Sequence, residues 1–115
     1  MSIVVYGISN CDQVRKARRW LEAQHLKFVF HDVRKDGLSA AQVQPWLEAL
    51  GWEKVVNKRS TAWRALSEED KAQMDDHHAL KHILATPTLI KRPLLAVNEH
   101  YLPGFNETAW REALQ

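Results

Sequence analysis

The chain has 115 residues, of which 26% are charged and 45% are hydrophobic, and its formal net charge at pH 7 is +2. This length predicts a single domain over residues 1–115, and the near-balanced charge excludes a polyanion partner held by bulk charge alone. Cys11 is the only cysteine, which excludes an internal disulfide. Because the start lacks a signal-peptide pattern and no apolar run is long enough to span a membrane, we expect a cytoplasmic protein without a membrane partner.

The first part of the chain predicts a strand, a helix and a second strand. Residues 3–6 form a short β-branched apolar run that is typical of a buried strand. A helix is expected to begin near Cys11, with Ser9 or Asn10 as its N-cap. Residues 27–33 alternate in the manner of a second strand. This order predicts two parallel strands joined by a right-handed crossover.

The rest of the chain predicts a helical insert, a hairpin and a last helix. The insert covers approximately residues 37–85. Residues 94–97 are a third strand, residues 98–99 a tight turn and residues 100–102 a short fourth strand, after which Asn106 caps the last helix. We therefore predict an α/β protein of thioredoxin-like outline: a mixed four-stranded sheet flanked by helices, with a helical insert between strands 2 and 3.

Cys11 is the candidate nucleophile because of its position. It lies where the first strand has ended and a helix begins, and this edge of an open α/β sheet is where ligands bind. The helix N-terminus favours a thiolate, which is the form that attacks disulfides. Arg15, one turn along, can add its charge, whereas the carboxylate of Asp12 opposes it. The sequence leaves open which of the two dominates, and the alternative is an inert small apolar residue.

Other chemistry-bearing residues carry weaker signals. His78 and His82 have the i, i+4 spacing of a metal site, but without further ligands nearby we expect exposed helix histidines and no metal. The basic clusters at residues 57–59 and 91–92 are too short to predict direct nucleic-acid binding. Pro93 opens a strand at the same edge of the sheet as Cys11, where a cis peptide bond is expected.

Several segments of the chain form a combination that is found in a known family. They are Asn10-Cys11, Arg15, Arg59-Ser60, the run Pro87-Thr88-Leu89-Ile90-Lys91-Arg92-Pro93 and the tail pattern Gly104-Phe105-Asn106-Glu107. Together they resemble the ArsC/Spx family of glutaredoxin-linked arsenate reductases and Spx-type transcription regulators, over essentially the whole chain. Within that family the chain is similar to the YffB-like branch of thiol reductases, through the segments 6–17 and 31–38.

The resemblance implies a thioredoxin-like fold in which Cys11 is the redox cysteine. It implies no bound cofactor, with glutathione as co-substrate and glutathione or glutaredoxin as the reducing partner of a small thiol or oxyanion substrate. In the reductases, arginines that match Arg59 and Arg92 help to hold the oxyanion and the glutathione-bound intermediate, and the residue that matches Pro93 is the cis-proline. The candidate substrate- and glutathione-binding residues are Asn10, Arg15, Arg59, Arg92 and Pro93.

The chain departs from the family pattern at three places. Gly7 stands where the reductases carry a histidine, residues 104–106 stand where the reductases have a third anion-binding arginine, and Val14 stands where the regulators have a second cysteine. Three hypotheses follow. The first is a glutathione-dependent thiol–disulfide oxidoreductase whose resolving thiol is external. The second is a Spx-like module that binds a protein such as RNA polymerase without catalysis, and the third is an arsenate reductase.

Overall fold

The computed structural model describes residues 2–115, which form two compact units. The first unit consists of residues 2–36 and 92–115, and it contains the whole sheet. The second unit, residues 37–91, is helical and therefore extends past the predicted end of the insert at residue 85. That the chain behaves as a single domain stays a prediction.

The elements alternate as the sequence predicts, with most of the helices in the second unit. Within residues 2–115 they are β1 (Ile3–Gly7), α1 (Asp12–Ala23), β2 (Val29–Asp32), α2 (Val33–Asp36), α3 (Ala40–Leu50), α4 (Trp52–Val55), α5 (Thr61–Arg64), α6 (Glu68–Ala72), α7 (Asp76–Ala85), a 3₁₀ turn (Pro87–Leu89), β3 (Leu94–Val97), β4 (His100–Pro103) and α8 (Glu107–Ala113). No helix in this part of the chain combines the length and the apolar character that a membrane span needs.

The sheet of the first unit is mixed and has the strand order β2-β1-β3-β4. β1 and β2 are parallel, whereas β3 is antiparallel to both β1 and β4. Asn98 and Glu99 have φ angles of 47° and 67°, the left-handed conformation that a two-residue hairpin with the twist of its strands requires. The predicted mixed four-stranded sheet and its closing hairpin are confirmed.

The core of the first unit joins one face of the sheet to α1 and α8. Its fully or nearly fully buried members are Ile3, Val5, Ala17, Leu21, Leu95, Val97 and Trp110. Phe28 and Phe30 both pack against this cluster, as their alternation predicts. Burying one such side chain stabilises the fold by about 1.5–3 kcal/mol. A hydrogen bond of 2.7 Å from Trp20 Nε1 to Glu107 further joins α1 to α8.

Two helices of the second unit, α3 and α6, have the cap residues that the sequence predicts. Ser39 and Gln42 form a reciprocal capping box at the start of α3, and Gly51, with a φ of 82°, ends that helix. The hydroxyl of Ser67 accepts the N–H of Asp70 in the first turn of α6. These caps satisfy backbone groups that short helices would otherwise leave without partners.

The predicted N-cap of the first helix is wrong. Cys11, rather than Ser9 or Asn10, is the N-cap of α1. Cys11 has extended backbone angles of φ −105° and ψ 128°, while its carbonyl already accepts the first helical hydrogen bond from the N–H of Arg15 at 2.9 Å. The thiol is therefore attached to the cap residue itself.

The second strand is shorter than the pattern predicts, because Asp32 turns the chain into a helix. The carboxylate of Asp32 accepts the N–H groups of Arg34 at 3.0 Å and Lys35 at 3.1 Å. This is the contact that an N-cap side chain makes with the first turn of a helix. Residues 33–36 consequently form α2, and the strand ends at Asp32.

We expect Trp110 to be a main support of the first unit. Its side chain is fully buried, and its Nε1–H donates to the carbonyl of Gly104 at 3.1 Å. Trp110→Phe removes that donor and is expected to lower the free energy of unfolding by about 1–3 kcal/mol, and Trp110→Ala by about 3–5 kcal/mol. Urea unfolding followed by circular dichroism measures both losses. A loss below about 0.5 kcal/mol for Trp110→Phe would contradict this role.

Candidate active site around Cys11

The register of the sheet brings two predicted site segments to one edge. Tyr6 near the end of β1 pairs with Leu94 at the start of β3, so the preceding residue Pro93 lies level with Gly7. The loop that leads to Cys11 starts at this same end of β1. The pairing of β1 with β3 therefore places the Arg92–Pro93 segment beside the loop that carries the thiol.

Cys11 combines partial exposure with a position at the start of α1. Its thiol makes no side-chain cap hydrogen bond, and its backbone N–H donates to the Ile8 carbonyl at 3.4 Å. An acceptor on an N-cap residue can meet the N–H groups of the second and third helical residues, here Gln13 and Val14. These N–H groups and the partial positive charge of the helix end favour an anion there. Asn10, just before Cys11, is exposed.

The guanidinium group of Arg15 already has two partners within the chain. It forms an ion pair with the carboxylate of Asp12, and its second terminal nitrogen donates to the Ser9 carbonyl at 3.3 Å. The two charges that the sequence places on either side of Cys11 are therefore paired with each other. Arg15 also stabilises the loop before Cys11 through its hydrogen bond to Ser9.

Asp32 clamps the same loop from the end of β2. Burial raises the pKa of Asp32, but hydrogen bonds from the N–H groups of Lys35, Arg34 and Ser9, together with the charge of Arg34, outweigh burial and hold that pKa below its usual range. The bond from Ser9 joins the Cys11 loop to the start of α2. Sequence reasoning included Asp32 in a motif but did not find this role, which an aspartate directly after a strand could have indicated.

Acid should weaken the fold through Asp32. Because the pKa of Asp32 is lower in the folded chain than in the unfolded one, where it is about 3.9, its carboxylate stabilises the fold above that value. This contribution is lost as the pH falls through the folded-state pKa. Asp32→Asn should therefore be less stable than the original chain at pH 7, with the difference shrinking toward pH 2.

Chemical unfolding at a series of pH values measures this difference. Asp36→Asn, in the same short helix, is the matched control for the loss of one negative charge. Stability curves for Asp32→Asn and the original chain that run parallel from pH 7 to pH 2 would show that Asp32 does not act as inferred.

Gly7 and Val14, two of the departures from the family pattern, contact each other. A Cβ atom on Gly7 would lie 2.7 Å from Cγ2 and 3.2 Å from Cγ1 of Val14, whose side chain is fully buried. A side chain at position 7, such as the histidine of the reductases, therefore does not fit beside Val14 unless the packing between β1 and α1 shifts.

We predict that Gly7 and Val14 are energetically coupled. Gly7→Ala forces its methyl group into Val14 and should cost about 1–3 kcal/mol of unfolding free energy. In the double variant Gly7→Ala/Val14→Ala the clash is absent, so the combined loss should be smaller than the sum of the two single losses by about 0.5–3 kcal/mol. A double-mutant cycle from urea unfolding measures this coupling, and strictly additive losses would refute it.

Arg92 and Pro93 form a distinctive segment before β3. The Arg92–Pro93 peptide bond is cis, as predicted. Arg92 Nε is withdrawn from solvent and has no hydrogen-bond partner within residues 2–115. Buried polar atoms are nearly always hydrogen-bonded, so an unpaired donor here is unusual.

The tail pattern, residues 104–106, is hydrogen-bonded to the Arg92–Pro93 segment. The N–H of Gly104 donates to the Pro93 carbonyl at 2.7 Å, and the Gly104 carbonyl accepts the indole N–H of Trp110. Gly104 has a φ of 80°, a conformation that favours glycine. Residues 104–106 thus hold the backbone of Pro93 in place, where the reductases have an anion-binding arginine instead.

Arg59 belongs to the second unit. It is exposed, and its N–H donates to the side-chain carbonyl of Asn57 at 3.0 Å. The next residue, Ser60, donates its hydroxyl to the Asn57 carbonyl and caps α5 by accepting the N–H of Trp63 at 3.1 Å. The loop around Arg59 is therefore well braced, and its predicted approach to Cys11 stays a prediction.

The histidines of α7 are less exposed than expected, since His78 and His82 are half-buried and only His77 is exposed. His78 Nδ1 lies 2.7 Å from the carboxylate of Asp75, and the hydrogen bonds from His78 are the main reason that the pKa of Asp75 lies below its usual range. No group of three His, Cys, Asp or Glu side chains within residues 2–115 is arranged to hold a metal ion.

Comparisons with known proteins agree with this architecture. A model described as the ArsC family matches residues 6–113. An uncharacterized protein of Haemophilus influenzae is 43% identical over 111 residues, which cover 96% of this chain and 97% of that protein. The global transcriptional regulator Spx of Lactiplantibacillus plantarum is 25% identical over 114 residues, covering 97% of this chain and 86% of the regulator.

Solved structures show the same likeness. The YffB (PA3664) protein superposes with a TM-score of 0.94 at 37% identity, covering 99% of this chain and 100% of that one. An arsenate reductase (ArsC) related protein from Brucella melitensis has a TM-score of 0.77 at 35% identity, with coverage of 100% and 96%. A glutaredoxin from Archaeoglobus fulgidus shares the fold at a TM-score of 0.50 and 12% identity, with coverage of 99% and 86%. The chain therefore belongs to the ArsC family, has a thioredoxin-like fold and is similar to the YffB-like branch, as the resemblance predicted.

Proposed function

We propose that this chain is a thiol–disulfide oxidoreductase in which Cys11 is the nucleophile and glutathione is the external resolving thiol. The observation that carries the proposal is the position of Cys11 as the N-cap of α1, at the sheet edge that also holds the cis Arg92–Pro93 segment. Membership of the ArsC family supports a thiol-reductase or arsenate-reductase type of role. A reducing cytoplasm, where glutathione is abundant, is the compartment that suits this chemistry.

The proposed cycle has two exchange steps. The Cys11 thiolate attacks one sulfur of a substrate mixed disulfide with glutathione, forms a disulfide to the glutathione sulfur and releases the substrate thiolate, which takes up a proton. A second glutathione thiolate then attacks the glutathione sulfur, releases the Cys11 thiolate and leaves as oxidised glutathione. An external thiol is required because Cys11 is the only cysteine of these 115 residues.

The arginines have separate roles in this proposal. Arg92 offers its guanidinium group to a carboxylate of glutathione or to an oxyanion, a task that suits a planar and permanently charged group. We propose the same role for Arg59 and a contact with the peptide part of glutathione for Asn10. Arg15, which is paired with Asp12, orders the loop before Cys11 rather than holding the ligand itself.

Mass spectrometry after incubation with oxidised glutathione tests the chemistry. We expect one glutathionyl group on Cys11, removed again by reduced glutathione, and no adduct on Cys11→Ser. Arg92→Gln should slow adduct formation about tenfold, because a hydrogen bond to a charged group contributes about 1.5–3 kcal/mol. Arg64→Gln, an exposed arginine of α5, is the matched control and should react at the original rate. A chain that forms no adduct under any of these conditions would refute the oxidoreductase proposal.

A regulatory role is the second candidate, favoured by the 25% identity to a protein named as the global transcriptional regulator Spx. In that case the chain binds a protein such as RNA polymerase, and Cys11 is dispensable. A Cys11→Ala chain that keeps every partner in pull-down experiments and every phenotype in cells would favour the regulator.

Arsenate reduction is the third candidate, suggested by a structural relative named as arsenate reductase related. It shares the proposed use of Cys11 and Arg92 but lacks the histidine and the tail arginine that the family resemblance led us to expect. An arsenate assay with glutathione and glutaredoxin, with Cys11→Ser as the control, distinguishes it from a reductase of disulfides alone.

A further inference from the structure

We propose, building on the function above, that the preferred substrate disulfide belongs to a protein whose cysteine is followed or preceded by acidic residues. The juxtaposition that carries this proposal is a groove of about 240 Å³ along α1, lined by Arg15, Arg18, Arg19 and Glu22, whose first lining residue follows Cys11 by four positions. A groove with three arginines and one glutamate has an excess of positive charge, so the complementary ligand is an anionic chain segment.

The helix period places three of the groove residues on one face of α1. Arg15, Arg18 and Glu22 are separated by three and four positions in the sequence, and at 3.6 residues per turn these steps keep the side chains on one face. Cys11, the N-cap of α1, lies four positions before Arg15. Arg19 lies at the border of that face. A substrate segment that runs along α1 while Cys11 attacks its mixed disulfide with glutathione therefore passes these cations in order.

Arg18 is a preorganised cation in this groove. Its guanidinium carbon lies 4.1 Å from the centre of the Phe30 ring, and its Nε is buried without a hydrogen-bond partner in the described chain. Arg15 is already paired with Asp12, whereas no carboxylate of residues 2–115 forms an ion pair with Arg18 or Arg19. Arg18 and Arg19 are thus the cations that remain for a ligand.

Distance distinguishes a protein segment from glutathione as the occupant. Along the helix axis, Arg18 and Arg19 lie about 10 and 12 Å beyond Cys11, because each residue rises about 1.5 Å. An extended peptide covers this distance in three to four residues, at about 3.3 Å each. Glutathione has a single residue on either side of its cysteine, so it covers only the part of the groove nearest to Cys11, whereas a longer segment follows the groove over its whole length.

Glu22 limits the acidic part of the ligand at the far end of the groove. Its carboxylate disfavours further negative charge and favours a basic residue of the partner. The ligand expected for this groove is a segment in which the cysteine is separated by two neutral residues from one or two acidic residues, in either chain direction.

Peptide exchange tests the proposal. The probes are peptides whose cysteine forms a mixed disulfide with glutathione, with Glu or Gln at the third and fourth positions from the cysteine, in both chain directions. The Cys11 thiolate attacks the glutathione sulfur and becomes disulfide-bonded to glutathione, and the peptide thiolate leaves with the electron pair and takes up a proton. In low salt we expect one Glu peptide to react about 5–10-fold faster than its Gln partner, and the preference to fall at high salt.

Variants of the groove supply the controls. Arg18→Gln/Arg19→Gln should abolish the preference for Glu, and Arg18→Lys should retain part of it. The rate with the small reagent 2,2′-dithiodipyridine, which does not extend along the groove, should stay unchanged in all of these variants. Equal rates for Glu and Gln peptides in the original chain would overturn the proposal. The proposal would also be overturned if Arg18→Gln/Arg19→Gln slowed the reaction with oxidised glutathione as strongly as the reaction with the Glu peptide.

A binding experiment keeps this test independent of the chemistry of Cys11. Peptides with serine in place of cysteine are titrated into the ¹⁵N-labelled chain, and the side-chain Nε–H signal of Arg18 is followed by NMR. We expect the Glu peptide, but not the Gln peptide, to shift this signal, and a signal that neither peptide moves would refute the groove as a binding site. If Cys11 reacts with no disulfide while the Glu peptide still shifts the signal, the proposed function fails and the acidic-segment site stands.

Discussion

The contact between Gly7 and Val14 is the constraint on which the geometry of the site depends. The absence of a side chain on Gly7 lets the first turn of α1 lie directly against the end of β1. That close approach sets where the N-terminus of α1 meets the sheet, and so where Cys11 lies relative to Pro93 across the register of β1 and β3. An interior as densely packed as this one cannot accommodate an extra methyl group unless neighbouring atoms move. Position 7 therefore does not tolerate a larger side chain without a cost in stability.

Around this contact, the charged residues divide into those with partners in the chain and one whose buried donor has none. Asp32 holds the N–H of Ser9, and Arg15 pairs with Asp12, so these charges are used within the chain. Arg92 is different, because its buried Nε has no partner in the described residues. The hydrogen bonds that stabilise the Cys11 loop are therefore made within the chain, and we propose that the guanidinium group of Arg92 is used for a ligand.

The sequence predicted the fold well because its signals were local. Strand alternation, the turn at residues 98–99 and the cap residue Asn106 each act within a few positions, and each is confirmed. The N-cap of α1 was wrong because backbone angles, not the capping preference of Ser9 or Asn10, decide where a helix begins. The Asp32 clamp was missed because it depends on side-chain direction and on contacts between distant segments. The pairing of Arg15 with Asp12 depends in the same way on side-chain direction.

Three features of the structure coincide at Cys11. It is the N-cap residue of α1, it ends the loop that hydrogen bonds stabilise, and it is the only cysteine in the sequence. The central claim is that its position favours a reactive thiolate. The rate of iodoacetamide alkylation at pH 6, compared with that of free glutathione, tests this directly, because an ordinary thiol is less than about 1% ionised at that pH. The account predicts a rate for Cys11 at least about fivefold higher than that of glutathione. A rate equal to or below that of glutathione would contradict it.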